Sequence, residues 1–159
     1  MISKIEHPLE MLSTEEISLA YEIYKTSESY DEATHFSQIS LVEPSKEFLK
    51  DFKLGDPFER EVKLIGRDST LDGGFVAIIN LSNKSLNVER VSNSAQVQYT
   101  VQDIFTAMTL LKEHPDYQAA MKKRGITDME KVQIDPWPAG GIVHENIKQG
   151  HRALKGISF

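Results

Sequence analysis

Five histidines, no cysteine and twenty-four carboxylates are the side chains with which this 159-residue sequence could hold a metal ion. Local metal pairs place histidines two, three or four residues apart so that both imidazoles reach one ion. His7, His35, His114, His144 and His151 stand in no such relation and read as surface or turn residues. With no thiol, the chain has no thiolate nucleophile, zinc-thiolate cage or disulfide, and its redox compartment is left open. Serines, histidines and acids are all present, but no nucleophile elbow, Gly-rich phosphate loop or helical metalloprotease pattern appears. Gly73-Gly74 and Gly140-Gly141 are isolated pairs, expected at a hairpin turn and a chain reversal. The sequence therefore predicts no catalytic, cofactor-binding or metal-binding residue. The side chain that stands apart is Trp137, the only tryptophan. Pro136 and Pro138 fix the backbone around it and remove two N–H donors from any sheet. Its ring either fills a core or projects onto an interface or cavity wall, where a rigid, amphipathic ring contributes most.

Charge narrows the partners. A net charge of −6 and a pI near 5.4 would repel a phosphate backbone or an anionic membrane, so no nucleic acid and no membrane partner is expected. The one basic cluster, Lys122-Lys123-Arg124, falls where a helix should end and complements the negative end of its dipole. The start, Met1 to Pro8, is too polar for a signal peptide, and no stretch approaches the ~20 apolar residues that span a bilayer, which makes the cytoplasm the expected location. The 40% hydrophobic and 26% charged fractions suit a folded globular chain, and its length suits one ordinary domain or two small ones.

The elements that must position these residues come in two similar sets. Ser13 can cap a helix, Glu16 can reach back to it, and Leu12 can staple onto Ile17; the inward stripe is Ile17, Ala20, Tyr21 and Tyr24. The arrangement returns with Tyr99 as staple, Thr100 as cap, Asp103 in the reach-back position and Ile104, Ala107, Met108 and Leu111 as the stripe, all shifted by one distance, which points to a structural duplication. Strands are expected at Phe36 to Val42, with Phe36, Gln38, Ser40 and Val42 on one face, and at Arg60 to Ile65, Phe75 to Leu81 and Ser85 to Val91. A short helix is expected at Ser45 to Phe52. Behind the second long helix, Pro115 opens another and Gly125 closes it. Strands then come at Val132 to Ile134, Ile142 to Ile147 and Arg152 to Phe159, with Asp135-Pro136-Trp137-Pro138 as a bend. Each half reads as helix first and antiparallel sheet afterwards, an α+β architecture with its boundary in Ser92 to Gln98.

Three stretches resemble one family, the copper- and topaquinone-dependent amine oxidases. His7-Pro8-Leu9-Glu10-Met11-Leu12-Ser13-Thr14-Glu15-Glu16-Ile17 is similar to the opening of that family's first non-catalytic domain. Phe36-Ser37-Gln38-Ile39-Ser40-Leu41-Val42-Glu43-Pro44-Ser45-Lys46 is similar to a strand and proline later in the same domain. Lys123-Arg124-Gly125-Ile126-Thr127-Asp128, leading to Val132-Gln133-Ile134-Asp135-Pro136-Trp137-Pro138-Ala139-Gly140 and then Gly150-His151-Arg152, resembles the second such domain. The resemblance implies two tandem cystatin-like domains, an N2-like one over residues 1–93 and an N3-like one over residues 94–159, each a helix packed on an antiparallel sheet. In the family the second helps to form the mouth of the amine channel, so the implied channel or interface residues are Trp137, Ile104 and Phe105.

The departures from the family bear on chemistry. Its quinone arises from a tyrosine in an Asn-Tyr-Asp or Asn-Tyr-Glu context, and its copper needs a His-x-His pair with a distant histidine. Here the tyrosines follow Ala20, Ile23, Ser29, Gln98 and Asp116, and no histidine pair of that spacing occurs. The resemblance and these departures together imply an accessory subunit with no catalytic activity of its own. Its partner would be a larger catalytic amine oxidase subunit that supplies copper and topaquinone for the oxidation of primary amines such as tyramine. Two alternatives stay open: a free-standing cystatin-like module that binds a small ligand or a protein, and a piece of a longer oxidase.

Overall fold

A computed structural model describes residues 5–70, 73–92, 95–140, 145, 147 and 152–159. The chain divides into two compact units, Met1–Val97 and Gln98–Phe159. Both mix helices with antiparallel strands, as the α+β expectation has it. Positions 93 and 94, where the domain boundary is expected, lie outside the described residues.

Unit one begins with helix α1, Thr14–Lys25. Ser13 accepts from the Glu16 N–H, and the Glu16 carboxylate accepts from the Ser13 N–H at 2.9 Å, a closed capping box. Strand β1, His35–Val42, comes next, then the short helix α2, Lys46–Asp51, capped by Ser45. Strands β2, Glu61–Arg67, β3, Gly74–Asn80, and β4, Leu86–Val91, complete an antiparallel sheet in the order β1-β2-β3-β4. The turn between β2 and β3 includes Gly73 at φ 77°, and a Cβ there would lie 2.6 Å from the Val91 carbonyl oxygen, so only glycine fits.

The core of this unit is where α1 meets one face of the sheet. Ala20, Tyr24, Val62, Leu64, Phe75, Ala77 and Ile79 are fully buried there, and Leu12, Ile23 and Phe36 pack against them. The Tyr24 ring stacks on Phe75 with centroids 4.9 Å apart and meets Phe36 edge-on at 5.3 Å. Two sequence expectations are corrected here. Ile17 is 36% exposed while Ile23 packs inward, because the helix turns Glu16 toward the interior, where it is paired. In β1 the register shifts between Phe36 and Gln38, so a bulge at Ser37 absorbs one residue. Phe36 pairs with Gly66, Ile39 with Leu64 and Leu41 with Val62, so all three share the core-side face instead of alternating across it.

Unit two has helix α3, Val101–Glu113, with its own capping box between Thr100 and Asp103. Helix α4, Pro115–Lys123, comes after it with its proline at the first turn. It ends in a Schellman motif: Gly125 sits at φ 83°, its N–H reaches the Lys122 carbonyl at 3.0 Å, and the Ile126 N–H reaches the Met121 carbonyl at 3.1 Å. A 3-10 turn, Met129–Lys131, leads to strand β5, Ile134–Pro138, which pairs antiparallel with β6, Leu154–Ser158. Met121, Val132 and Ile134 are buried together, with Met108, Leu111 and Tyr117 packed on them.

The bend expected at Asp135-Pro136-Trp137-Pro138 is a strand. Gln133 and Phe159 exchange both backbone hydrogen bonds, at 3.2 and 3.0 Å, and the Ala139 N–H bonds the Ala153 carbonyl at 3.1 Å. Residues 133, 135, 137 and 139 therefore take the hydrogen-bonded positions of the ladder, and Pro136 and Pro138 the alternate ones. The nitrogens that lack a proton face away from β6, so the prolines cost the ladder nothing and leave the outer edge of β5 short of donors. The strand expected at Ile142 to Ile147 falls mostly outside the described residues.

Candidate functional site

Strand alternation sorts the β5–β6 ribbon into two faces. Ile134, Pro136, Leu154 and Gly156 lie on the face that receives α3. A Cβ at Gly156 would sit 2.5 Å from Leu111 Cδ2, so the missing side chain is what lets the helix approach. Between them runs a groove of about 240 Å³ whose walls include Ala107, Leu110, His114, Pro136 and Leu154. The other face carries Asp135, Trp137, Lys155 and Ile157.

Trp137 is 53% exposed on that second face, opposite Lys155. Its indole N–H donates to Asp135 Oδ2 at 2.8 Å, two residues back on the same face, so the ring is anchored from the backbone on which it stands. It does not fill the core. Phe105 is 58% exposed on α3, and Ile104 beside it is half-buried. The structure thus puts Ile104 and Phe105 on one helix and sets Trp137 on the ribbon face turned away from that helix. Val101 and Leu110, also exposed on α3, were not singled out from the sequence. A signal for them is present: between Asp103 and Lys112 the helix carries no charge on any side, although a solvent face usually does.

The ionic contacts of unit one are structural. Arg60 is 7% exposed; its Nε donates to Glu16 Oε1 at 2.6 Å, one terminal nitrogen to the Pro8 carbonyl at 2.9 Å, and the other to the Glu10 carbonyl at 2.9 Å and Glu16 Oε2 at 3.1 Å. Asp68 is buried at the end of β2, bonded to Arg90 at 2.5 Å and to the Thr70 hydroxyl at 2.6 Å. Burial pushes its carboxyl up, but the Thr70 and Arg90 hydrogen bonds outweigh it and hold the group below its ordinary value. Asp31 is held down by the Ser69 hydroxyl and N–H. Burial, helped by the nearby Asp68 charge, pushes the Tyr24 phenol up to about 12.

Of the histidines, three are described, and two of them make side-chain contacts. His7 packs edge-on against Phe52 and its Nδ1 accepts from the Leu9 N–H; His35 lies exposed on β1; His114 Nδ1 accepts from the Asp116 N–H at the start of α4. Among the described residues no group of three or more His, Cys, Asp or Glu side chains could hold a metal ion. These residues do not fit copper, and no redox step is assigned to them. His144 and His151 lie outside the described residues, and among the described ones no helix is long and apolar enough to cross a membrane.

Helix on antiparallel sheet, with a capped leading helix and large apolar side chains in the open, describes an α+β module. Comparison with known proteins gives the family. Residues 7–92 match the model of the copper amine oxidase N2 domain, and the chain belongs to the copper amine oxidase family. Over 98% of its length it is 26% identical to a primary amine oxidase of Arthrobacter sp. (strain P1), of which it covers 23%. Over 99% it is 30% identical to a primary amine oxidase of Klebsiella aerogenes, of which it covers 21%. Among solved structures, a copper-containing benzylamine oxidase from Hansenula polymorpha matches 84% of the chain with a TM-score of 0.70 at 22% identity, covering 22% of that protein. The chain thus spans less than a quarter of the relatives it matches, and it aligns with their non-catalytic N-terminal region.

Proposed function

We propose that this chain is a non-catalytic accessory subunit of a copper-containing primary amine oxidase, docked on a larger catalytic chain that carries copper and topaquinone. The assembly would convert a primary amine, dioxygen and water into aldehyde, ammonia and hydrogen peroxide, with an arylalkylamine such as tyramine as a substrate. Residues 1–93 act in it as the N2-like domain and residues 94–159 as the N3-like one. The observation that carries this reading is the alignment of almost the whole chain with about a fifth of each relative. A module that corresponds to one part of a larger enzyme needs the remainder in order to act.

The exposed side chains of unit two support a docked surface. Phe105, Val101 and Leu110 on α3 and Trp137 on β5 are large apolar groups in the open on the isolated chain. We assign Ile104 and Phe105 to one wall of the substrate channel or to the interface, and Trp137 to a second contact on the opposite ribbon face. Burying such groups against a partner, over an interface above ~1,000 Å², would hold two chains together without a covalent link.

Reconstitution tests the reading. Peroxide formation from a panel of primary amines is measured with the larger chain alone and with this chain added, alongside the mass of the complex. The expected result is a complex containing both chains, with an altered rate or amine preference. Unchanged rate, preference and mass at micromolar concentrations of both chains would refute the accessory role.

A further inference from the structure

Helix α2 and the segment before β2 border a second groove, in unit one. It measures about 480 Å³ and is lined by Pro44, Ser45, Phe48, Pro57, Phe58 and Glu59. Its aromatic walls are braced by Phe52, whose ring lies 5.9 Å from that of Phe48 and meets that of Phe58 edge-on at 5.8 Å. A smaller hollow of about 220 Å³ shares Phe58 and adds Glu6 and Asp56.

The charges are of one sign. Glu6, Asp56 and Glu59 are the charged residues that line these two adjoining hollows, and all are carboxylates. The lysines of α2 do not join them: Lys46 and Lys50 stand two positions either side of Phe48, which at about 100° per residue puts them on the opposite side of the helix. Glu59 is held in place. The buried Asn80 side-chain amide donates to its Oε2 at 2.7 Å, and Asn80 is in turn fixed through its own oxygen, which accepts from the Ser82 and Asn83 N–H groups. Among the described residues nothing else hydrogen-bonds that carboxylate, which leaves Oε1 for a ligand.

We infer that this groove binds an organic ammonium ion carried on an apolar, ring-sized body. Phenyl faces attract a cation as well as an apolar group, prolines supply flat apolar contact without donors, and a positioned carboxylate takes the ammonium protons. A volume of about 480 Å³ lies within the several hundred Å³ usual for small-ligand sites. The site stands independently of the amine oxidase assignment, because it requires no partner chain and no chemistry on the ligand.

The test is an NMR titration of the chain with 2-phenylethylammonium, with the neutral 2-phenylethanol, and with methylammonium, which lacks the apolar body. Saturable shifts should centre on Phe48, Phe58 and Glu59 with the first probe, be about fivefold weaker with the alcohol, and be absent with methylammonium; the factor is modest because an exposed carboxylate is screened by water. Glu59→Gln should remove the preference for the ammonium while leaving the alcohol unchanged, and Phe48→Ala should weaken both. Equal binding of the alcohol and the ammonium, or shifts centred elsewhere, overturns the inference. So does tighter binding of a capped Phe-Lys dipeptide amide at the same residues, which would assign the groove to a polypeptide segment.

Discussion

The two units fasten the start of their leading helix with the same device, built to different depths. In unit one the reach-back carboxylate of the capping box, Glu16, is gripped by Arg60, the residue just before β2, with the two side chains 7% and 14% exposed. In unit two the corresponding carboxylate, Asp103, is gripped at 3.1 Å by Arg152, two residues before β6, and both are 19% exposed. Arg60 also collects backbone carbonyls of residues 8 and 10, whereas Arg152 lies over the Tyr99 ring at 4.3 Å. A cap made within one helical turn is thus tied to a distant strand by one guanidinium in each half. The shared arrangement supports a duplicated plan. Among the described residues the difference tracks the size of the core: unit one has seven fully buried apolar residues around its helix, and the cluster of unit two has three buried ones.

The largest effect should come from removing the deeper clamp. Arg60→Ala strands a buried carboxylate and leaves carbonyls in the interior without a donor, and losing one partner of a buried pair costs about 3–5 kcal/mol. Urea unfolding followed by far-UV circular dichroism should show that loss, with Arg60→Lys recovering only part of it because an ammonium cannot reproduce the planar fork. A cost below about 1 kcal/mol would mean that the contact is incidental and that the parallel between the units has no energetic content.

Next in size is an alkaline effect in unit one. Tyr24 keeps its proton in the folded chain up to about pH 12, whereas an unfolded chain gives it up near 10. The folded state then binds more protons than the unfolded one, so stability is intact below pH 10 and falls as pH rises toward 12, by about 2–3 kcal/mol. Tyr24→Phe should flatten this part of the profile. Phenolate absorbance checks it: the Tyr24 phenol should ionise together with unfolding instead of ahead of it, and early ionisation of all five tyrosines would contradict the burial of that ring.

The clamp of unit two should matter less. Arg152→Ala removes a half-buried ion pair and a cation–π contact, together about 1–2 kcal/mol, while Asp103 keeps the Thr100 N–H and hydroxyl at 2.9 Å each. A double-mutant cycle with Asp103→Ala measures the coupling. If it equals or exceeds that of Glu16 with Arg60, depth of burial is not what separates the two devices.

Both capping boxes could be read from the sequence because Ser13 with Glu16, and Thr100 with Asp103, lie within one turn, where spacing alone sets geometry. Neither arginine could be paired with its carboxylate that way, since the partners are 44 and 49 residues apart in the chain. The same distinction explains the strands. Runs of β-branched and aromatic residues located β1 to β4 to within a residue or two, but the bulge at Ser37 reversed the faces inferred for Phe36, and only pairing with β2 reveals it. Pro136 and Pro138 looked like breakers because their effect depends on ladder parity, which β6 sets from a distant part of the chain. As for the site, Trp137 could be singled out by type, but whether it pointed in or out rested on that same parity.

The smallest effect on stability should come from Trp137, and it separates surface from core in unit two. With half of its ring in the open and its N–H bonded only to Asp135 among the described residues, Trp137→Ala should change the unfolding free energy by less than about 0.5 kcal/mol. In contrast, Ile134→Ala, on the opposite face of the same strand, deletes a buried side chain and should cost about 2–4 kcal/mol. The tryptophan also provides its own check before any mutation, because a single exposed indole should be quenched by iodide nearly as readily in the folded chain as in the unfolded one. If iodide leaves the folded fluorescence untouched, the ring is covered and its two-residue link to Asp135 does not hold it on the outer face. If the ring is accessible on the isolated chain and becomes protected when the larger chain is added, the same measurement locates the contact surface on the side of the ribbon away from α3.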